Sequence, residues 1–360
     1  MNTTQRLPAS LTPLDVALAA LLRALKPVAA SERPSPDTTG CSAVEIPELK
    51  AWPPHDVAAV DGWALCASDL VGASSYSPLP LMTPPAWVEA GERIPDGCDC
   101  VLDDDPVDRS GPMVQVLAEA IPGQGVRRKG GEIADASRIV NAWAAGDPHP
   151  AARRPRLRVV NLPGGVITAK LIAASLRKAG IDVAFVEAPA RDAASVAKAL
   201  DTSACELLLM IGGSGVGRTD AAVTALAGCG EVIAHGLALQ PGRTAAIGRI
   251  GAVPVIALPG APDQALAIWW TLVLPALDRL SGGARRETVT RPLARKIASG
   301  VGIAEVALLE EKDGAWMPLA VGDLSLATIA RAQAWLLVPG GSEGYAAGTP
   351  VDAYMLRERA

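Results

Sequence analysis

The chain has 360 residues, 49% hydrophobic and 20% charged, with a formal net charge of −5. That balance excludes a disordered chain, predicts about two to four folded domains and argues against a general nucleic-acid binder. Six cysteines (Cys41, Cys66, Cys98, Cys100, Cys205, Cys229) and three histidines (His55, His149, His235) are too scattered to predict a zinc site.

The first segment, LTPLDVALAALLRALKP, has helical amphipathic spacing broken by Asp15 and Arg23, so a helix capped near Ser10 or Thr12 is predicted and not a signal peptide. The longest apolar run, ALAIWWTLVLPAL (265 to 277), is too short to span a bilayer, so no membrane partner is expected and a cytoplasmic location is the default. After the polar break SERPSPDTTG (31 to 40), residues 51 to 124 are dense in Pro and Gly. Their short apolar segments WVEA, CVL and MVQVLAEA predict a small β-rich unit. Within it, Asp61–Gly62 in AAVDGWAL taken alone predicts a hairpin turn. The run Asp103, Asp104, Asp105 before Pro106 predicts a turn rather than a metal site. Basic clusters at Arg127, Arg128 and Lys129, and at Arg153, Arg154, Arg156 and Arg158, read as solvated faces still available to a small anion.

From Arg156 the texture changes to strands alternating with helices: LRVVNLPGG, then ITAKLIAASLRKAG; IDVAFVEA, then RDAASVAKALD; ELLLMIGGSG, then TDAAVTALAG. EVIAHGLAL and AAIGRIGAVPVIALPG add strands, and PDQALAIWWTLVLPALDRLSGG adds a closing helix. This spacing predicts a parallel three-layer α/β domain whose ligand lies beyond the carboxyl ends of its strands. Beyond residue 286, TRPLARKI, AEVALLEE, AWMPLA, AWLLVPGG and PVDAYML predict a closing β domain.

IGGSGVGRTD (211 to 220) differs by one residue from the phosphate-binding G-x-x-x-x-G-K-[ST], with Arg218 in the lysine's place. Following a strand and opening a helix, its backbone N–H groups converge on an anion. An ATP-type loop is disfavoured by Arg218, by its place in the third α/β unit and by the lack of a later strand ending in Asp. Gly213, Gly215 and Gly217 also miss the dinucleotide fingerprint. Two further Gly/Pro loops follow, QPGRTAAIG (240 to 248) and LPGAPDQA (258 to 265), the second entering a helix at Pro262 and Asp263. Three such loops at one sheet edge predict a polyanion cradle.

Six stretches, in order over about residues 58 to 282, resemble the MoeA/gephyrin E-domain family of molybdopterin molybdenumtransferases, the chain standing as a divergent member. AAVDGWAL is similar to that family's S-A-M-D-G-Y-A, IPDGCDCVL to P-x-G-x-D-x-V, and RRKGGEI (127 to 133) to R-R-x-G-E-D-I. IGGSGVGRTD resembles S-G-G-x-S-x-G-x-x-D, QPGRTAAIG resembles K-P-G-K-P-x-x-x-G, and LPGAPDQA resembles L-P-G-N-P-x-S.

The resemblance implies a multidomain α/β plus β fold with a central three-layer α/β/α molybdopterin-binding domain (153–283). An inserted β-rich domain (51–124), a discontinuous elongated N-terminal domain (1–50 and 125–152) and a small C-terminal β barrel (284–360) complete it. It implies insertion of molybdate into adenylylated molybdopterin with release of AMP, carried by Asp61, Glu132 and Asp220, with Mg²⁺ held by Asp61 and Asp220. Substrate would be bound by Gly212, Gly213, Ser214, Gly215, Gly217, Pro241, Gly242, Arg243, Pro259, Gly260 and Pro262. A homodimer is implied, its site lying between one subunit's α/β domain and the partner's β-rich part, with a molybdoenzyme or cofactor-assembly protein as a further partner.

Departures gather where chemistry is expected. Ala90 stands for the family's Thr, Glu132 for Asp, Gln240 and Arg243 for two Lys, Ala261 for Asn and Gln264 for Ser. VVNLPGGVI (159 to 167) lacks both acids of S-T-G-D-E, and residues 141 to 154 are too few for the family's linking helix. A non-catalytic carrier or scaffold that binds molybdopterin or the finished cofactor is therefore the alternative reading.

Overall fold

The computed structural model describes residues 5–8, 10–23, 25–29, 53–131, 154–179, 181–282, 286 and 288–356. Glu132 and residues 141 to 153 lie outside these, and with them the linking segment and most of the expected elongated domain. The chain divides into two compact units, Leu49–Ile133 and the remainder, Met1–Glu48 with Ala134–Ala360.

In the smaller unit, strand Gly62–Leu65 lies between Ala86–Val88 and Cys100–Leu102, antiparallel to both. A second sheet orders Leu79–Pro80, Gln115–Val116 and Val107–Asp108. Trp63, Leu65, Leu70, Cys100, Leu102 and Val116 form its core. The Trp63 indole N–H donates to Asp104 Oδ1 at 2.8 Å, so the ring is buried with its polar atom satisfied. The acidic run forms the expected turn, closed by Val107 N–H on Asp104 O at 3.1 Å.

Asp61–Gly62 is not a hairpin turn. The strand before it, Val57–Ala58, pairs with Val126–Arg127, and the strand after it pairs elsewhere. Gly62 is spent on strand packing instead: a Cβ there would collide with the Leu102 carbonyl.

The larger unit contains a six-stranded sheet ordered Asp182–Glu187, Arg156–Asn161, Leu207–Ile211, Val253–Leu258, Ala246–Ile250, Glu231–His235. Its first four strands are parallel, which requires crossover helices; Val166–Lys178, Ala193–Ala199 and Ala222–Cys229 follow the first three strands in the chain. Leu207–Ile211 is buried along its whole length, as expected of a strand covered on both faces. The sheet is mixed, not all parallel as the alternation suggested. Ile250 pairs with Val253, so residues 251 and 252 form a two-residue turn, and such a turn joins only antiparallel strands.

EVIAHGLAL is likewise two strands. At Gly236, with φ 83°, the chain leaves the six-stranded sheet, and Leu237–Gln240 runs parallel to Ala304–Lys312 in another. That second sheet orders Thr12–Pro13, Leu237–Gln240, Ala304–Lys312, Ala334–Val338, Pro350–Met355 and Thr288–Pro292, with Ala315–Val321 also on Ala304–Lys312. It curls until Leu293, just past its last strand, bridges to Trp316. The buried Trp316 ring packs there with Leu293, Ile297, Leu309 and Leu336. An unexpected short helix, Leu326–Arg331, starts where Ser325 Oγ accepts Thr328 N–H at 3.0 Å.

Helix Leu14–Arg23 begins two residues past Thr12. The closing helix runs Pro262–Ile268, passes through a π turn at Trp269–Val273, and resumes as Leu274–Ser281. Pro275 has no N–H with which to continue the ladder, and that sets the irregularity. Among the described residues no helix is long and apolar enough to cross a membrane.

Candidate functional site

Three parallel strands, ending at Asn161, Ile211 and Leu258, deliver their turns to one edge of the sheet. These turns pack backbone against backbone. A Cβ on Gly260 would lie 3.5 Å from Gly212 Cα and 3.8 Å from Gly165 Cα. The three glycines thus form a floor that any larger residue would thicken. Hydrogen bonds tie the strand ends together: Leu162 N–H to Ile211 O at 2.9 Å, Gly212 N–H to Leu258 O at 2.9 Å, and Thr168 Oγ1 to Gly260 O at 2.5 Å. With its amide nitrogen facing the turn, buried Asn161 donates to Leu162 O at 3.1 Å and Gly165 O at 3.2 Å.

The loop at 240 to 248 reaches the same edge. Ala246 opens its strand opposite Ala257, the penultimate residue of Val253–Leu258. A Cβ on Gly242 would lie 2.9 Å from Ile268 Cδ1, so this turn sits close against the helix that follows Pro259 and Gly260. Arg243 is exposed and Pro241 buried. The α/β residues expected to bind substrate therefore share one sheet edge, although Ser214 is fully buried.

Loop 212 to 221 is held by three residues from outside it, Gln5, His235 and Arg191. Gln5, 7% exposed, donates through Nε2 to Gly213 O at 3.0 Å and Gly215 O at 2.8 Å. Its Oε1 accepts Val223 N–H at 2.8 Å and Thr224 N–H at 3.2 Å, capping the helix that leaves the loop. His235 Nε2 lies 2.9 Å from Ser214 O and, facing a carbonyl, donates to it. Burial pushes the His235 pKa below its ordinary value, and the bond to Ser214 acts in the opposite direction. Asp220 Oδ2 accepts Gly217 N–H at 3.2 Å, and its Oδ1 accepts Arg191 at 2.5 Å.

Arg191 also donates to Pro163 O at 3.1 Å, bridging the turns after the first and third strands of the domain. Its position is fixed by its neighbour Asp192, which caps helix Ala193–Ala199 by accepting Ser195 N–H at 2.9 Å. Neither Gln5 nor His235 nor Arg191 was singled out by the sequence as a site residue. For Arg191 a signal existed, a cation four residues past the end of strand Asp182–Glu187, on the edge where the sheet's loops gather.

Asp61 belongs to the smaller unit, where its Oδ1 accepts Ala90 N–H at 2.8 Å. Asp61 and Asp220 thus lie in different units, and Glu132 lies outside the described residues. The surroundings of Asp220 do not fit Mg²⁺: a guanidinium already supplies positive charge at one oxygen and an amide N–H occupies the other. Among the described residues no group of three or more His, Cys, Asp or Glu is placed to hold a metal ion.

A mixed α/β sheet with glycine loops along its carboxyl edge, together with an attached curled β sheet, defines a multidomain protein with a MoeA-like fold. Residues 12–148 match the family model of the MoeA N-terminal region (domain I and II), and residues 167–279 match the model described as "Probable molybdopterin binding domain". The chain belongs to the MoeA family. Molybdopterin molybdenumtransferase 1 of Mycobacterium tuberculosis is 26% identical over 395 residues, covering 88% of this chain and 92% of its own. Molybdopterin molybdenumtransferase 2 of the same organism is 24% identical over 285 residues, covering 64% of this chain and 70% of its own. The crystal structure of the molybdopterin biosynthesis MoeA protein from Pyrococcus horikoshii shares the fold, with a TM-score of 0.51 at 21% identity over 97% of this chain and 100% of the other.

Proposed function

We propose that this chain acts in molybdenum-cofactor biosynthesis, binding adenylylated molybdopterin at the loop edge of the six-stranded sheet and inserting molybdate with release of AMP. The observation that carries the reading is the convergence of three strand-end turns on Gly165, Gly212 and Gly260, which opens a side-chain-free surface for an anionic ligand. Gly212 N–H is committed to Leu258, and Gly217 N–H to Asp220. The terminal phosphate of the pterin is therefore assigned to the amides of Gly213, Ser214 and Gly215. Pro241, Gly242, Pro259, Gly260 and Pro262 shape the edge around the pterin. Arg243 offers a planar fork to molybdate or phosphate.

The remaining parts of the reading follow from family membership: the four-part domain arrangement with a closing barrel, the homodimer, the cytoplasmic location, and catalytic roles for Asp61, Glu132 and Asp220. In the reaction a molybdate oxygen attacks phosphorus as the pyrophosphate bond breaks and AMP leaves with that oxygen; the two dithiolene sulfurs bind molybdenum as their protons leave with a second molybdate oxygen as water. A carrier or scaffold that binds molybdopterin without turnover is the second reading. Two observations favour it: Asp220 is tied to Arg191, and the turn after Asn161 carries no acid.

The deciding experiment incubates purified protein with adenylylated molybdopterin and molybdate, then measures AMP released and molybdenum bound to pterin. Molybdate-dependent AMP release is expected. Tight pterin binding without release establishes the carrier instead, and absence of pterin binding removes both.

A further inference from the structure

Resting on that reading of the loop edge as an anion site, we infer that Arg191 is a cationic group of the site, in addition to Arg243. At Asp220 it takes the place of a divalent cation, and it presents its guanidinium to a phosphoester oxygen. The two members of the pair are unequally covered: the Asp220 side chain is 8% exposed and that of Arg191 is 34% exposed. The member of the pair facing an incoming ligand is therefore the cation. Contacts to Pro163 O and Asp220 Oδ1 draw on NH1 and NH2, fixing the plane of the fork across two loops. Nε is buried without a hydrogen-bond partner among the described residues. Of the five N–H donors of a guanidinium, these contacts commit two.

A fork held in this way loses little freedom when it accepts a phosphate, so it is organised before the ligand arrives. The same pairing disfavours a metal ion at Asp220, because Mg²⁺ would have to share the carboxylate with an adjacent positive charge. A wholly structural ion pair predicts something different: the pair would staple the loops, and anion affinity would not depend on which cation formed it.

The test uses the full-length chain, inorganic pyrophosphate as the anion probe and Mn²⁺ as a paramagnetic substitute for Mg²⁺. Wild-type protein is expected to bind pyrophosphate without divalent cation in a calorimeter and to show no stoichiometric Mn²⁺ binding by electron paramagnetic resonance. Arg191→Met should weaken pyrophosphate binding about tenfold or more. Arg191→Lys, which keeps charge but loses the fork, should fall between the two.

The inference is overturned by stoichiometric Mn²⁺ on wild-type protein that disappears in Asp220→Asn. It is equally overturned by pyrophosphate affinity within about twofold of wild type in a folded Arg191→Met, or by no pyrophosphate binding in wild type. If Arg191→Met does not fold, Arg191→Lys and the wild-type Mn²⁺ measurement decide. Failure of the functional reading has a separate signature, because adenylylated molybdopterin then goes unbound whatever the Mn²⁺ result.

Discussion

Replacing Gln5 with alanine measures how much one buried amide contributes to holding the loop at 212 to 221. The side chain satisfies the carbonyls of Gly213 and Gly215 and the N–H groups of Val223 and Thr224, the last two at a helix start that has no carbonyl of its own to offer them. A neutral hydrogen bond contributes about 1 kcal/mol net and an orphaned buried donor costs about 1–3 kcal/mol; with water reaching the part-buried groups, the loss comes to about 3 kcal/mol. At roughly 2–4 °C per kcal/mol, Gln5→Ala should lower the melting temperature by about 6–12 °C. Hydrogen exchange read by mass spectrometry on peptides covering residues 212 to 226 should accelerate, since the loosened segment is the one Gln5 clamps. Gln5→Glu is a sharper probe, because it keeps an acceptor for the two amides but sets carboxylate oxygen against two carbonyls. A melting shift below about 2 °C with unchanged exchange in that peptide would refute the clamp.

Gly213 has φ 71°, and a Cβ there would lie 2.5 Å from Leu162 Cδ2, so Gly213→Ala should cost about 1–3 kcal/mol in urea denaturation and weaken pyrophosphate binding in parallel. Burial holds the His235 pKa below its ordinary 6.5 in the folded chain, so the unfolded chain takes up the proton first. The contribution to stability is therefore complete above 6.5 and declines as pH falls from there through the folded value. Denaturation midpoints measured from about pH 5 to 8 should show a shallower acid slope in His235→Gln than in wild type. Burial raises the Cys100 thiol to about 12, whereas Cys229 is exposed. A thiol reagent followed by peptide mapping should label Cys229 in the native state and Cys100 only after denaturation.

How far the sequence reveals the site depends on how local the forces are. Leu207–Ile211 was legible because a strand buried on both faces leaves an unbroken apolar run. The glycine loop after it was legible because tight backbone turns need that residue, and Gly212 and Gly213 do have φ of 88° and 71°. The strand change at Gly236 was not legible, since Leu237–Gln240 reads like a continuation of Glu231–His235 and only its partner, Ala304–Lys312, distinguishes it. Gln5 was hidden for a related reason: a polar residue near the start of the chain gives no local sign that it bonds residues more than 200 positions away. The Asp61–Gly62 pair misled, because local turn chemistry cannot announce the Leu102 carbonyl lying against it.

The strand change at Gly236 has an evolutionary consequence. The same short length of chain that carries Pro241, Gly242 and Arg243 to the loop edge of the six-stranded sheet is also a strand of the curled sheet, paired at Gln240 with Glu305. The two sheets therefore cannot be exchanged between proteins as separable modules. A recombination event that replaced the curled sheet would also have to supply a new edge for Leu237–Gln240, or the loop at 240 to 248 would lose its anchor. Drift in either sheet is constrained by the other through the four-residue strand Leu237–Gln240, which belongs to the curled sheet and links Glu231–His235 to the loop that enters Ala246–Ile250.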